Sequence, residues 1–455
     1  MPTDPGTASI PVDDTTKPRI ISRSNHPISK KDIDREALKV LYRLRDAGHV
    51  AYLVGGGVRD LYLGKTPKDF DISTDARPGQ LRKIFRNSRL IGRRFRLVQV
   101  FFSGGKIIEV STFRCRSEFE LNGVSKSAGD DVLAANNTYG SPSDDAFRRD
   151  LTINSLFYEI ENSTIIDYTG GGNDLEQGII RLIGEPGKRV KRDPARMMRV
   201  IRHAARTRFS IEPKTWQSII DHKEMLRLCP ISRIRDELMK DLRSTACSTW
   251  SELAMDSGIF YVLFPFYQAA HNSPGGKANR KLFLGIQTVV DRLHSKGIYL
   301  PDQLLFSLLL LPWAIVEFDL LNKYFKGPEF HRFLQKIRAR LDAILGPMSI
   351  KRAHKENIGL HLVNLPHFLR FARENSWPKW LKRKSYYLEC DLLFRIFSEA
   401  ATGKNIPEHI VAKYVQQFRN LTMLKTSRKR HHKKKKSPGP AFAGKRGGGI
   451  FGLKK

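Results

Sequence analysis

Between Leu53 and Thr74 the chain reads LVGGGVRDLYLGKTPKDFDIST, a block whose patterning dictates strand, glycine turn, helix, second turn and second strand within 22 residues. The apolar, β-prone run His49–Val54 ends at Gly55, Gly56 and Gly57, and a helix follows over Val58–Leu63. Glycines at such a junction let backbone N–H groups close on phosphate oxygens, and the helix start adds positive potential. Arg59, one turn inside the helix, is a bidentate donor for the same phosphates, while Asp60 beside it orients the turn. Beyond LGKTPK, the segment Asp69–Thr74 alternates as a strand, which puts Asp69 and Asp71 on one face and Phe70 on the other. Paired carboxylates repel unless cations neutralise them. Oxygen-only donors suit Mg²⁺, and two ions about 4 Å apart would serve both an attacking 3′-oxygen and a departing pyrophosphate. A glycine triplet alone is often a turn, and a D-x-D pair alone is often a solvated face. Their juxtaposition points to nucleotidyl transfer.

Other charged groups fall into this frame. Arg148 and Arg149 precede a strand-like LTINSLFYEI, either at a strand mouth where a triphosphate needs neutralising or as a surface pair at a strand edge. In the strand Ile107–Arg114, Glu109 is the inward acid that would complete a carboxylate trio and act as base toward the 3′-hydroxyl; the other reading is a salt-bridge partner. Asp193 suits an N-cap with Pro194 as first helical residue, and Met197, Val200, Ile201 and Ala204 form the helix's buried stripe. Asp193 and Arg196, three apart, share a face, and a carboxylate beside a guanidinium can read the edge of a base. Arg233, Glu237 and Lys240 project along one face of a later helix, either as a brace or as an ordinary solvated charge pattern.

The 22-residue block resembles the nucleotidyltransferase motif shared by bacterial poly(A) polymerases and tRNA CCA-adding enzymes, and the resemblance runs from about Val40 to about Lys240. RRDLTINSL (Arg148–Leu156) resembles the family's RRDFTINAL, and Ile165–Ile183 resembles its D-x-x-x-G-x-x-DL element. Asp193–Arg206 resembles the helix that reads the incoming base, and RIRDELMK (Arg233–Lys240) the R-x-x-x-E-x-x-K helix that braces it. The resemblance implies that Asp69 and Asp71 hold Mg²⁺ and that Gly55, Gly56, Arg59, Arg149 and Asn154 hold ATP. It also implies that Asp193 and Arg196 choose the base, with Arg233 and Glu237 behind them. Asp150 is placed in the catalytic set, either assisting the metals or fixing an arginine; Asp167 shapes a turn. Arg192 stands where the family usually has Glu. The IGRRFRL core (Ile91–Leu97) resembles the poly(A) polymerase variant, although Gln99 replaces its usual His. Arg93, Arg94 and Arg96 either touch RNA phosphates or flank a sheet edge. Polyadenylation of RNA 3′ ends is therefore expected, with CCA addition to tRNA as the alternative and a non-catalytic RNA-binding adaptor as a third reading.

The charge balance agrees with a polyanionic partner: 79 Lys+Arg face 46 Asp+Glu, a net +33. Lys425–Lys455 holds 12 Lys+Arg and no acid, including Lys433, Lys434, Lys435 and Lys436, so this tail should be disordered and bind RNA, or else serve solubility or targeting. Removing those charges still leaves a basic body. In His367–Tyr387, aromatics interleave with Arg and Lys; Trp377, Trp380 and Tyr387 either stack on bases or pack in the core. The 13-residue apolar run Leu304–Val316 contains Pro312 and is too short to span a bilayer. Four cysteines without C-x-x-C spacing fit a reducing compartment, and residues 1–29 lack the apolar region of a signal peptide, so a cytoplasmic protein is expected. The fold class expected is α+β. A loose arm (1–29) leads into a catalytic mixed sheet with helices (30–185); a helical neck (186–245), a helical body (246–424) and a disordered basic tail (425–455) follow.

Overall fold

The computed structural model describes residues 17–92, 96–115 and 139–417. Arg93, Arg94, Lys433, Lys434, Lys435 and Lys436 lie outside the described residues, as does the expected tail.

The first half of the chain builds an eight-stranded mixed sheet. Its strands are β1 (Arg19–Ile21), β2 (Ala51–Val54), β3 (Asp71–Thr74), β4 (Ser88–Ile91), β5 (Leu97–Phe101), β6 (Ile107–Thr112), β7 (Phe157–Glu159) and β8 (Thr164–Asp167), in the order β1-β8-β7-β2-β3-β6-β5-β4. Only β3 and β6 run parallel; the other neighbours are antiparallel. One face is covered by α1 (Arg35–Asp46), whose Ala37, Val40, Leu41 and Leu44 recur at helical spacing and are fully buried. Asp34 caps this helix by accepting from Glu36 N and Ala37 N, a bond pattern that typically contributes about 1 kcal/mol. The other face carries a small cluster of Val54, Phe113, Ala146 and Phe157, with Tyr52 and Tyr168 against it.

Three expectations are corrected here. The arm expected to be loose through residue 29 is a sheet edge from Arg19, where β1 pairs with β8 in antiparallel register. The strand expected from Asp69 starts at Asp71, so Asp69 lies on the approach to it. LTINSLFYEI is not one strand: Thr152–Asn154 forms a 3₁₀ turn and β7 follows from Phe157. That turn redirects Asn154 toward the site instead of into the ladder.

Beyond the sheet come β9 (Ile179–Ile180), α2 (Pro186–Arg192), α3 (Ala195–Thr207), β10 (Ser210–Ile211) and α4 (Ile231–Leu242). The parallel pair β9–β10 ties residues on both sides of the boundary expected at 186. The body is helical, with α5 (Gly276–Ser295), α6 (Asp302–Phe318), α7 (Gly327–Leu345), α8 (Arg352–Arg373) and α9 (Tyr387–Thr402) packed on one another. Pro312 sits inside α6, where it removes an N–H from the ladder. Tyr267 repairs the break: its hydroxyl donates to Leu309 O at 2.6 Å and accepts from Trp313 N at 3.3 Å. Trp377 and Tyr387 pack on Phe368 at 5.6 and 5.7 Å between centroids, whereas Trp380 is 53% exposed. Among the described residues no helix is long and apolar enough to cross a membrane.

Candidate active site

Gly55 ends β2 with φ +73° and ψ −143°, a conformation open essentially to glycine alone, and caps the short helix Gly56–Tyr62. A β-carbon at Gly55 would lie 3.4 Å from Arg149 Nη1 and 3.6 Å from Asp71 Oδ2, so the turn, a guanidinium and a carboxylate converge on one spot. A β-carbon at Gly57 would lie 3.3 Å from the Asp69 carbonyl, which shows how closely the helix approaches the D-x-D segment.

Both expected phosphate-binding arginines are held from behind. Arg149 donates from Nη2 to Asp145 Oδ2 at 2.8 Å and Ser73 Oγ at 3.2 Å, and from Nη1 to Asn154 O at 3.3 Å. Its guanidinium lies 5.3 Å over the Phe157 ring, a cation–π contact on the apolar floor. Arg59 donates to Asp60 Oδ1 at 2.7 and 2.9 Å and to Asn154 Oδ1 at 2.8 Å. Its Nη1 also meets His203 Nδ1 at 3.0 Å. Burial, then Arg59, Arg202 and Arg206, push the His203 imidazole well below its ordinary range, so it is neutral and accepts from Arg59.

Asp71 stands in register with Glu109 across the parallel pair, and Glu109 accepts from Gln99 Nε2 at 2.8 Å. The Asp71 carboxyl is pushed up to about 6, by desolvation first and then by Glu109 and Asp69, against the pull of Arg149. Such a carboxylate is one that a cation would relieve. Among the described residues no three His, Cys, Asp or Glu side chains form a ready-made metal cage. Asp69 and Asp71 nevertheless fit Mg²⁺, which is commonly held by one or two carboxylates plus substrate phosphates and water.

The segment expected to read the base is arranged differently from the sequence expectation. Asp193 is not an N-cap; it closes α2, and Pro194 caps α3. Asp193 and Arg196 each take a separate partner. Asp193 Oδ2 accepts from Arg233 Nη2 at 2.6 Å, and Oδ1 is buried without a hydrogen-bond partner among the described residues. Arg196 donates to Asp150 Oδ1 at 2.7 Å and to Arg189 O at 2.8 Å. Asp150 Oδ2 is taken by Arg199. Both Asp150 oxygens are thus engaged by arginines, the arrangement expected if Asp150 fixes an arginine.

Of the three charged residues expected to brace this helix, Lys240 meets a buried Glu237, whereas Arg233 goes to Asp193. Glu237 is 3% exposed and accepts from Arg199 at 3.3 Å, Arg202 at 2.5 Å and Lys240 at 3.2 Å. Asp241 takes the rest of Arg202. Asp167 shapes its turn by accepting from the backbone N–H groups of Thr169, Gly170, Gly171 and Gly172. Ser73, Asp145, Arg199, Arg202 and His203 escaped the sequence reading. For the last three the signal was present, since they follow Arg196 at steps of three to four along one helix.

Comparison with known proteins bears on this arrangement. Residues 51–181 match the poly A polymerase head domain, and residues 208–270 match a model described as a probable RNA and SrmB-binding site of polymerase A. Poly(A) polymerase I of Salmonella typhi is 47% identical over 266 residues, 58% of this chain and 57% of that protein. Poly(A) polymerase I of Haemophilus influenzae is 41% identical over 290 residues, 63% of this chain and 64% of that protein. The match thus spans somewhat over half the length of these curated relatives. A CCA-adding enzyme of Lactobacillus helveticus is 38% identical over 209 residues, 46% of this chain and 50% of that protein. Among solved structures, the Bacillus stearothermophilus CCA-adding enzyme in complex with CTP superposes with a TM-score of 0.60 at 25% identity, covering 85% of this chain and 82% of that one. The head-domain match takes in the glycine turn, both aspartates, Glu109, Arg149 and Asn154, and on this ground residues 51–181 form a region similar to the poly A polymerase head domain, shared with the poly(A) polymerase relatives.

Proposed function

We propose that this protein adds AMP units from ATP to RNA 3′ ends without a template, releasing pyrophosphate. The observation that carries the reading is the meeting of Gly55, Arg149 and Asp71 at one point, which brings a triphosphate cradle against a metal-binding carboxylate. The backbone at Gly55 and Gly56, with Arg59 and Arg149, grips the triphosphate. Asn154 fixes both arginines, one through its side chain and one through its carbonyl. Asp69 and Asp71 are the residues that would hold Mg²⁺, two ions on the two-metal reading, which would supply Lewis-acid chemistry toward the α-phosphate and the RNA 3′-hydroxyl. Glu109, oriented by Gln99, lies beside Asp71 to receive the hydroxyl proton. Attack by the 3′-oxygen breaks the bond to the bridging oxygen, and Arg59 and Arg149 stabilise the charge that collects on the leaving pyrophosphate. Asp193 and Arg196 select adenine, held in place by Arg233 and Asp150.

AMP addition is preferred because the poly(A) polymerase relatives reach 47% identity and the CCA-adding relative 38%. CCA addition remains the second reading, favoured by the likeness to the CTP complex. The test is extension of a short labelled RNA and of a tRNA lacking its 3′ CCA, with Mg²⁺ and ATP, CTP or both. Long ATP-only ladders on both RNAs support polyadenylation. A CTP-dependent addition of about three nucleotides confined to tRNA, or no extension at all, overturns it.

A further inference from the structure

The strand register places four polar side chains in one row on one sheet face. Asp71 pairs with Glu109, Glu109 with Gln99, and Gln99 with Arg89, so the row runs from the metal-binding carboxylate to the edge strand β4. Residues in register on neighbouring strands project to the same side. Arg89 is exposed and carries no ion pair among the described residues. On the same face, at alternate positions of β4, β5 and β6, Ile91, Phe101 and Ile107 are 37%, 38% and 43% exposed. An open sheet face with an apolar strip, one aromatic ring and an unpaired guanidinium at its rim is chemically suited to single-stranded RNA, whose bases stack while its phosphates seek cations.

We infer that this face is the track for the RNA primer: bases rest on Phe101 and Ile107, a backbone phosphate meets Arg89, and the 3′-hydroxyl arrives at Glu109 and Asp71. The inference rests on the proposed function and deepens it by naming the RNA subsite. Two features select this occupant. The row is continuous with the carboxylates at which the 3′-hydroxyl must react, and its far end is a cation without an ion-pair partner among the described residues. Three strand spacings of about 4.8 Å separate β3 from β4, so Arg89 lies roughly 14 Å from Asp71, within the span of a few nucleotides.

The test compares Arg89→Glu, Arg89→Gln and Phe101→Ala with the unchanged protein in primer extension with ATP, using a dinucleotide and an eight-nucleotide RNA, alongside thermal unfolding. Lys83→Glu, which lines a separate cavity with Leu90, serves as the charge control. For the longer primer, KM for RNA should rise roughly tenfold in Arg89→Glu and in Phe101→Ala, and less in Arg89→Gln, while kcat, KM for ATP and the melting temperature stay within experimental scatter. The salt dependence of RNA binding should lose about one unit of slope in both Arg89 variants. The dinucleotide should be extended equally by all proteins. An unchanged KM for the longer RNA, an equal effect of Lys83→Glu, or a loss that persists with the dinucleotide would overturn the track. Absence of extension by the unchanged protein would instead remove the function on which it rests.

Discussion

Replacing Asp150 by Asn removes one negative charge from between two guanidinium groups and separates a positioning role from a metal-binding one. Asp150 accepts from Arg196 at 2.7 Å through one oxygen and from Arg199 through the other. Burial pushes its carboxyl up, but the two arginines more than offset this and hold it below the usual carboxylate range. An Asn amide retains one acceptor for Arg196 and turns an N–H toward the N–H of Arg199. The loss is therefore about one charge-assisted hydrogen bond, roughly 2–3 kcal/mol, or about 30- to 150-fold in whatever the arginines serve. Because Arg196 and Arg199 lie on the helix proposed to read the base, the change should appear as a higher KM for ATP and weaker discrimination against CTP, with a lower melting temperature. Its Mg²⁺ dependence should be unchanged. A depressed carboxyl contributes stability above its unfolded pKa and loses it as pH falls through the folded value, so the stability gap between the two proteins should be full at neutral pH and close only below about pH 4. Steady-state extension with each nucleotide, Mg²⁺ titration and thermal unfolding from pH 3 to 8 read all of these. A fall in kcat of several thousand-fold with KM unchanged and an altered Mg²⁺ requirement would refute the reasoning and return Asp150 to the metal site.

Asp71 carries its own pH dependence. With the carboxyl raised to about 6, protons compete with Mg²⁺ below that pH, so the metal-induced rise in melting temperature should grow from pH 5 to pH 7 and be absent in Asp71→Asn; a pH-independent increment would sink the metal assignment. Gly55→Ala meets only ordinary contacts at Arg149 and Asp71, so its cost is backbone strain of about 1–2 kcal/mol at φ +73°, and KM for ATP should rise about tenfold with RNA binding intact, as nucleotide titrations would reveal. Tyr267→Phe strips the bridge across Pro312 and leaves Leu309 O and Trp313 N without it, a loss of about 1–3 kcal/mol that urea unfolding should detect while extension at low temperature is preserved.

The site was legible in the sequence wherever its geometry is local. Gly55 through Asp71 sit on consecutive elements, so turn chemistry and the two-residue period placed cradle and carboxylate together before any fold was known. The Arg233–Glu237–Lys240 spacing likewise identified a helical face. Contacts set by chain segments far apart were not legible. Asp193 meets Arg233 across 40 positions and Asp150 meets Arg196 across 46, and no local spacing announces either pairing. Local spacing misled at Asp193, because a carboxylate before proline satisfies the pattern of an N-cap whether it opens one helix or closes the previous one. At residues 19–21 composition suggested a loose arm, whereas the edge of β8 supplies a ladder that no local signal announces.

The placement of α3 explains why base choice and phosphate grip would act as one unit. Successive turns of this helix send Arg196 and Arg199 to Asp150, Arg199 and Arg202 to Glu237, Arg202 to Asp241, and His203 to Arg59. One end of the helix is thereby bolted to the residue that follows Arg149, and its middle touches the arginine beside the glycine turn. Buried ion pairs of this kind are a weak source of net stability, because desolvation offsets most of their attraction, but they fix geometry strictly. A displacement of α3 by a misfit base would have to break Asp150 from both arginines or pull His203 from Arg59. On the proposed function, either movement would disturb a triphosphate held where Gly55, Arg149 and Asp71 converge. Discrimination between bases is then expressed in how well the phosphates are aligned, and not only in hydrogen bonds to the base itself.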